Sequence, residues 1–233
     1  MHLSSGEDQR EILPSSTQKT PDLCLMRSPR WTAIDVETTG GSKEDRIIQV
    51  AVVSFSHGYP ISSWALYIKP EPWRDSHFYA QKTHNIPKDL LKRAPAFSMA
   101  VLDRLTPYLK NRTVVAHNAS TEIRFLKYEV DRLKAGFDGG LEDKDLGWVD
   151  HIEWACTSQL TRKLYKCSKA PNLKETCSFL DVELITHHDA LFDAKACGMV
   201  FGRLRDAAGT SEKERLRYKH ETSPAFGEKR SRE

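Results

Sequence analysis

Acidic and histidine side chains recur in three short stretches of the 233-residue sequence, each beside residues that end or start regular structure. Asp35 and Glu37 stand two apart at the end of the apolar run Trp31–Val36, just before Thr38-Thr39-Gly40-Gly41. Residues i and i+2 of a strand project to the same side, so both carboxylates face one place. The glycines behind them let a ligand approach the backbone. A solvated strand end or a capping acid accounts for a bare Asp-x-Glu equally well. The second stretch holds His117, Asn118 and Glu122: a strand end, a capping residue, then an acid in the first turn of a helix, where a carboxylate also complements the helix dipole. The third is His188, Asp189 and Asp193. Asp189 is a natural N-cap, and Asp193 falls beside the apolar stripe of Ala194 and Cys197. It needs a partner there, because burying an unpaired carboxylate is costly. His188 is of a type that titrates near neutral pH, suited to carrying a proton or simply to a helix entrance. Carboxylates about 4 Å apart repel by roughly 4 kcal/mol per pair at an effective dielectric of 20. Such a cluster persists only with compensating cations or retained protons, and its hard oxygen donors suit Mg²⁺ or Mn²⁺.

The elements that must position these groups alternate along the chain. Trp31–Val36 reads as a buried strand. Arg46–Phe55 and Ser62–Ile68 are β-rich runs flanking His57-Gly58-Tyr59-Pro60, which reads as a hairpin. The spacing of Val101, Leu102, Leu105 and Leu109 predicts a helix over Ser98–Leu109. A brief strand follows at Thr113–Ala116, then an amphipathic helix over Ala119–Leu133, with Ile123, Leu126, Val130 and Leu133 on one face. A fifth strand is expected within Asp145–Ile152, then a helix to about Tyr165, a shorter one over Leu173–Leu180, and a last one from Asp189 through Leu204. A three-strand meander followed by strand–helix alternation argues a mixed α/β sheet with helices on both faces. The expected organisation is a flexible extension over residues 1–29, one domain over 30–207 and a charged tail over 208–233. Leu23, Cys24, Leu25 and Met26 are the residues by which the extension could dock. The tail is a frayed helix or a solvated segment, or a peptide that docks on a partner through Leu216, Tyr218 and Phe226.

Composition narrows the classes. Lys and Arg number 35 against 32 Asp and Glu, a net charge of +3 that announces no polyanion partner by itself. No apolar run approaches the roughly 18 residues needed to span a bilayer, and the first residues lack the apolar stretch of a secretory signal. Five cysteines without a Cys-x-x-Cys pair indicate neither a disulfide framework nor a zinc ribbon, so a soluble protein of a reducing compartment, the cytoplasm, is expected. Cys156, Cys177 and Cys197 read as small buried hydrophobes. Lys82, Lys88, Lys92 and Arg93 could follow a phosphate backbone or form a solvated helix face.

Together the three stretches resemble the DEDDh (DnaQ-like) 3′→5′ exonuclease family, which includes the proofreading epsilon subunit of bacterial DNA polymerase III. Asp35-Val36-Glu37-Thr38-Thr39-Gly40 matches its first motif, DxETTG, letter for letter. His117-Asn118-Ala119 opens its second, HNAxFD, with Thr121 where Phe is usual and Glu122 where Asp is usual. His188–Ala194 matches the third, HxAxxDA, throughout. Thr83-His84-Asn85-Ile86-Pro87 and Ala94-Pro95-Ala96-Phe97 echo weaker family segments. The resemblance covers about residues 31–205. It implies a ribonuclease H-like fold with a mixed five-stranded sheet, three strands antiparallel and then two parallel.

For the site, the resemblance implies two Mg²⁺ or Mn²⁺ ions held by Asp35, Glu37, Glu122 and Asp193, with His188 taking the proton from the attacking water. Thr38, Thr39, His117 and Asn118 would meet the terminal nucleotide. The implied activity is phosphodiester hydrolysis from single-stranded 3′ ends, DNA favoured over RNA, releasing nucleoside 5′-monophosphates. A polymerase or other protein could be engaged through a tail. The alternatives are an exoribonuclease or oligonucleotide-trimming enzyme of the same family, and a catalytically silent nucleic-acid-binding module.

Overall fold

The computed structural model describes Met26 and residues 28–136 and 146–228. Its strands are β1 (Arg30–Thr38), β2 (Ile47–Ser56), β3 (Tyr59–Tyr67), β4 (Thr113–Ala116) and β5 (Glu153–Cys156). Its helices are α1 (Phe78–His84), α2 (Lys88–Arg93), α3 (Met99–Leu109), α4 (Ala119–Ala135), α5 (Thr157–Leu164), α6 (Leu173–Phe179), α7 (Ala190–Ala208) and α8 (Glu212–Thr222). The five strands form one sheet in the order β3-β2-β1-β4-β5. β2 is antiparallel to β1 and β3, while β4 is parallel to β1 and β5. This is the mixed sheet the sequence pattern implies.

Alternation along β1 sends its residues into two cores. Trp31 and Ala33 face α5, α6 and α7, where they pack with Phe55, Val200, Phe201 and Leu204. Ile34 and Val36 face α3 and α4, among Leu102, Leu105, Phe125, Leu126 and Val130. β2 is apolar almost throughout because both its faces are covered. The first core is tightly fitted: the Trp31 ring stacks on Phe55 at 5.5 Å between centroids and meets Phe201 edge-on at 5.2 Å. Burying each such side chain stabilises the fold by roughly 1.5–3 kcal/mol. Helix α7 comes so close to the sheet that a Cβ on Gly198 would lie 2.0 Å from the Phe55 ring.

The structure corrects two expectations and adds two elements. The fifth strand is Glu153–Cys156, not Asp145–Ile152. Trp148 and Val149, which suggest a strand, are instead buried in a 3₁₀ turn over Gly147–His151, and Ala155 takes the core place opposite Val115. Asp145 lies outside the described residues, as do Leu23, Cys24 and Leu25, while Met26 is buried. The segment after Ala208 is not a solvated tail. Ser211 and Glu214 form a capping box that starts α8, Tyr218 meets Phe179 edge-on, and Phe226 stacks on Phe179 at 3.9 Å. Two of the apolar residues available for a partner, Tyr218 and Phe226, therefore dock on the chain's own α6. Helices α1 and α2 fall in a stretch too short-period to read from sequence. No helix among the described residues is long and apolar enough to cross a membrane.

Candidate active site

The parallel pairing of β1 with β4 points the carboxyl ends of both strands the same way, and ligands of open α/β sheets bind outside those ends. Asp35 and Glu37 continue the face of β1 that Trp31 and Ala33 turn toward α7. A register irregularity between Glu37 and Thr38 shifts the β1–β2 pairing, which closes with Thr38 opposite Ile47. From α7, Asp193 comes across to meet them: one carboxylate oxygen from each of Asp35, Glu37 and Asp193 lies within 4.8 Å of the others. The chain leaving β4 enters α4, whose first turn carries Glu122 into the same region, 4% exposed.

Asp35, Glu37 and Glu122 hold their protons unusually firmly. Burial pushes the Asp35 carboxyl well above its ordinary range, with further repulsion from Glu122, Glu37, Asp193 and Asp189. Glu37 is raised to about 8 by burial and then by Asp193, Asp189 and Glu122. Glu122 is raised to about 8, again by burial, only partly opposed by a backbone hydrogen bond and Arg124. Its Oε2 is buried with no hydrogen-bond partner among the described residues. Seven residues along α4, Glu129 shows how the same fold treats a structural acid. Arg46 donates to it through Nε at 2.9 Å and Nη2 at 2.7 Å, the Ile47 amide adds a bond at 3.2 Å, and Arg132 stands 3.3 Å away. Glu129 is neutralised within the fold; Glu122 is not.

The third group is set by the entrance to α7. Asp189 caps the helix by accepting the Leu191 amide at 3.0 Å. Gln49 of β2, which pairs with Glu37 across the sheet, accepts the Ala190 amide at 3.2 Å through Oε1 and reaches the Asp189 carboxylate with Nε2 at 3.5 Å. His188 has a left-handed backbone, φ 69°, and its amide donates to Asp193 Oδ2 at 3.0 Å. Its ring lies face to face with His187 at 3.7 Å. Burial, then the neighbouring His187, lowers its pKa, with Asp193 opposing. His187 Nδ1 contacts the Asp193 carboxylate at 3.1 and 3.2 Å. His187 and Gln49 are the site residues that sequence reasoning missed. The doubled histidine and the lone amide in the apolar run of β2 were the available signals.

The residues expected to meet a nucleotide are placed unevenly. His117 has both ring nitrogens engaged: Nε2 donates to the Pro171 carbonyl at 3.0 Å and Nδ1 contacts Thr157 Oγ1 at 2.9 Å. Burial holds its pKa down to about 4, so the ring is neutral and ties β4 to the loop before α6. Thr39 is fully buried, its hydroxyl on Asp45 and its amide on the Arg46 carbonyl. Thr38 is half-buried beside Glu37 and donates to the Gly40 carbonyl at 2.7 Å. Asn118 is exposed at the start of α4, bonded locally to Thr121 and Ser120. Asp35, Glu37, Glu122, Asp193 and His188 thus converge, Thr38 borders them, and Thr39 and His117 serve the framework.

The profile of an exonuclease family, RNase T, matches residues 32–201. The PolC-type DNA polymerase III of Halalkalibacterium halodurans is 30% identical over 176 residues, 75% of this chain and 11% of that protein. The 3′-5′ exonuclease DinG of Bacillus subtilis is 29% identical over 178 residues, 76% of this chain and 18% of that protein. The chain thus spans less than a fifth of the length of these curated relatives. Among solved structures, Exonuclease X in complex with 5′ overhanging duplex DNA is similar with a TM-score of 0.57 at 21% identity, over 81% of this chain and 98% of that one. The nuclease domain of 3′hExo, a DEDDh family member, bound to rAMP, gives a TM-score of 0.60 at 17% identity, over 77% and 93%. The fold is the ribonuclease H-like exonuclease fold.

Proposed function

Because this chain belongs to the RNase T exonuclease family, we propose that it is a divalent-metal-dependent 3′→5′ exonuclease that trims single-stranded DNA ends and releases nucleoside 5′-monophosphates. The observation that carries the reading is the set of four buried or half-buried carboxylates from β1, α4 and α7, one of which, Glu122, keeps an unpartnered oxygen. A purely structural carboxylate in this fold is answered by arginine, as at Glu129. The donor set is all hard oxygen, which fits Mg²⁺ or Mn²⁺, and Asp35, Glu37, Glu122 and Asp193 would hold them. Bound there, a pair of such ions supplies a more acidic water and compensation for charge on the leaving oxygen.

The chain's own residues do the rest. His188, its pKa held down by burial and by His187, is suited to accept the proton of the attacking water. The hydrogen bond that its backbone amide donates to Asp193 fixes the loop that aims the ring, and Gln49 fixes the helix that carries Asp193. Thr38, beside Glu37, borders the place of the terminal nucleotide. The PolC-type DNA polymerase III relatives support DNA as substrate and a polymerase as partner, and the DinG relative supports the 3′→5′ polarity. Four free cysteines among the described residues support a reducing, cytoplasmic setting. The test is purified protein with 3′- and 5′-labelled single-stranded DNA, duplex DNA and RNA, in Mg²⁺, Mn²⁺ or EDTA. Mononucleotides released from the 3′ end of DNA only with metal are the expected result. Release from the 5′ end, or activity indifferent to EDTA, refutes the reading, and faster release from RNA reassigns the substrate.

A further inference from the structure

Helix α1 presents two large aromatic side chains that the fold does not use. Phe78 is 74% exposed and Tyr79 is 80% exposed, touching each other edge-on at 5.4 Å. The inner face of the same helix is fully engaged. Gln81 donates to the Ile86 carbonyl at 3.1 Å, and His84 bonds Ser76 Oγ through Nε2 and accepts the Ile86 amide through Nδ1. Two adjacent aromatics left in water on a packed helix mark a binding surface more readily than a packing error.

The pair is fixed close to the acidic cluster. The His77 amide, one residue before Phe78, donates to the Thr39 carbonyl at 2.7 Å. The buried Asp45 carboxylate accepts from Thr39 at 3.0 Å and Ser42 at 2.8 Å on one side, and from Arg74 at 2.8 Å on the other, with His77 Nε2 at 3.2 Å. The turn after Glu37 and the entrance to α1 are packed so closely that a Cβ on Gly40 would lie 2.3 Å from the His77 ring. Two Cα steps, one backbone hydrogen bond and one further step separate the Glu37 and Phe78 Cα atoms, a path of no more than roughly 18 Å. A stacked strand rises about 3.4 Å per nucleotide, so bases within about five nucleotides of the reacting end reach the pair. Lys82, one turn along α1, pairs with no carboxylate among the described residues and adds positive charge on the same outer face.

We propose that Phe78 and Tyr79 form a stacking platform for bases of the single-stranded substrate upstream of its 3′-terminal nucleotide. The proposal rests on the exonuclease reading for the identity of its ligand. Aromatic platforms hold single strands without reading sequence, because every base offers a π-face. The platform therefore gives affinity and a requirement for unpaired bases, not base preference.

The test is fluorescence anisotropy of a labelled oligothymidylate and of an abasic oligonucleotide of equal length. It uses the full chain in Ca²⁺, with release of mononucleotides in Mg²⁺ followed in parallel. Wild type should bind the base-bearing strand more tightly than the abasic one. Phe78→Ala/Tyr79→Ala should weaken oligothymidylate binding by about 5- to 150-fold, bring it to the abasic level, and leave the melting temperature unchanged. A wild type that binds both strands alike, or a double variant that keeps the oligothymidylate affinity, overturns the platform and leaves the pair to a protein partner. Base-dependent binding without mononucleotide release refutes the exonuclease reading alone. Release without base-dependent binding refutes the platform alone.

Discussion

Replacing Glu122 with Gln should make the metal-free protein more stable and the metal-loaded protein less so. Glutamine keeps the volume of the buried side chain and removes its charge. In the folded chain the Glu122 carboxyl is raised from 4.5 to about 8 by burial, whereas in the unfolded chain it ionises in the ordinary range. Between those values the folded state binds the extra proton, so stability is full below the unfolded pKa and falls as pH rises toward 8. Each unit is worth about 1.4 kcal/mol, which puts the cost at neutral pH on the order of 3 kcal/mol. For a chain of this length that corresponds to roughly 6–12 °C in melting temperature. Thermal melts in EDTA from about pH 5 to 8 should therefore show wild type losing ground steadily while Glu122→Gln stays flatter and ends higher. Adding Mg²⁺ or Mn²⁺ should reverse the order, because binding to the folded state alone adds about 2.7 kcal/mol at a hundredfold excess over Kd. If the two proteins track each other in EDTA across that range, Glu122 is not an uncompensated buried acid. If metal stabilises both equally, it is not a ligand.

The other predictions separate chemistry from framework. His188→Ala should slow mononucleotide release by roughly 10²–10⁴-fold while the metal-induced thermal shift survives; full rate at neutral pH would remove His188 as the base. Arg46→Met leaves Glu129 buried with Arg132 as its nearest remaining cation and should cost about 3–5 kcal/mol in urea unfolding. Adding Glu129→Leu should recover most of that loss, and no recovery would mean the pair acts through something other than charge. Gly198→Ala drives a methyl into the Phe55 ring and should cost about 1–3 kcal/mol, partly restored by Phe55→Leu. An unchanged unfolding midpoint would show that α7 can move off the sheet.

How much of this was legible depended on how local the cause was. Period-two alternation put Asp35 and Glu37 on one face, and the structure keeps them there, on the face of Trp31 and Ala33. The apolar stripe of α7 made Asp193 an acid in need of company, which it finds in β1 and in the histidines before the helix. The mixed character of the sheet was legible in a three-strand meander followed by strand–helix alternation, whereas its order and the place of β5 were not. What escaped was set by residues far apart in sequence. His117 reads as a site residue until Thr157 and Pro171, 40 and 54 residues on, are seen to hold both its nitrogens. Phe226 reads as a tail residue until Phe179 is found beneath it. That both adjacent histidines bring a ring nitrogen near Asp193, with His187 in contact, is set at a left-handed His188, a backbone choice that no spacing records.

Glu122 carries the sharpest form of the argument, because it departs from the aspartate usual at its position and still joins the cluster. Its charge is the largest neighbouring influence on Asp35 and also bears on Glu37. It is not, however, in the tighter set of Asp35, Glu37 and Asp193. Asp35 and Glu37 thus feel Glu122 through its charge, although its oxygens stand outside that tighter set. The extra methylene has not carried the carboxylate away, and the local bonds of Thr121 to Asn118 hold the first turn of α4 in place. A fold selected for stability alone would fill this buried position as it fills those of Phe125 and Leu126 one turn on. An unanswered acid, kept at a cost that every metal-free molecule carries, is accounted for by the proposed metal site, where a cation returns that free energy on binding.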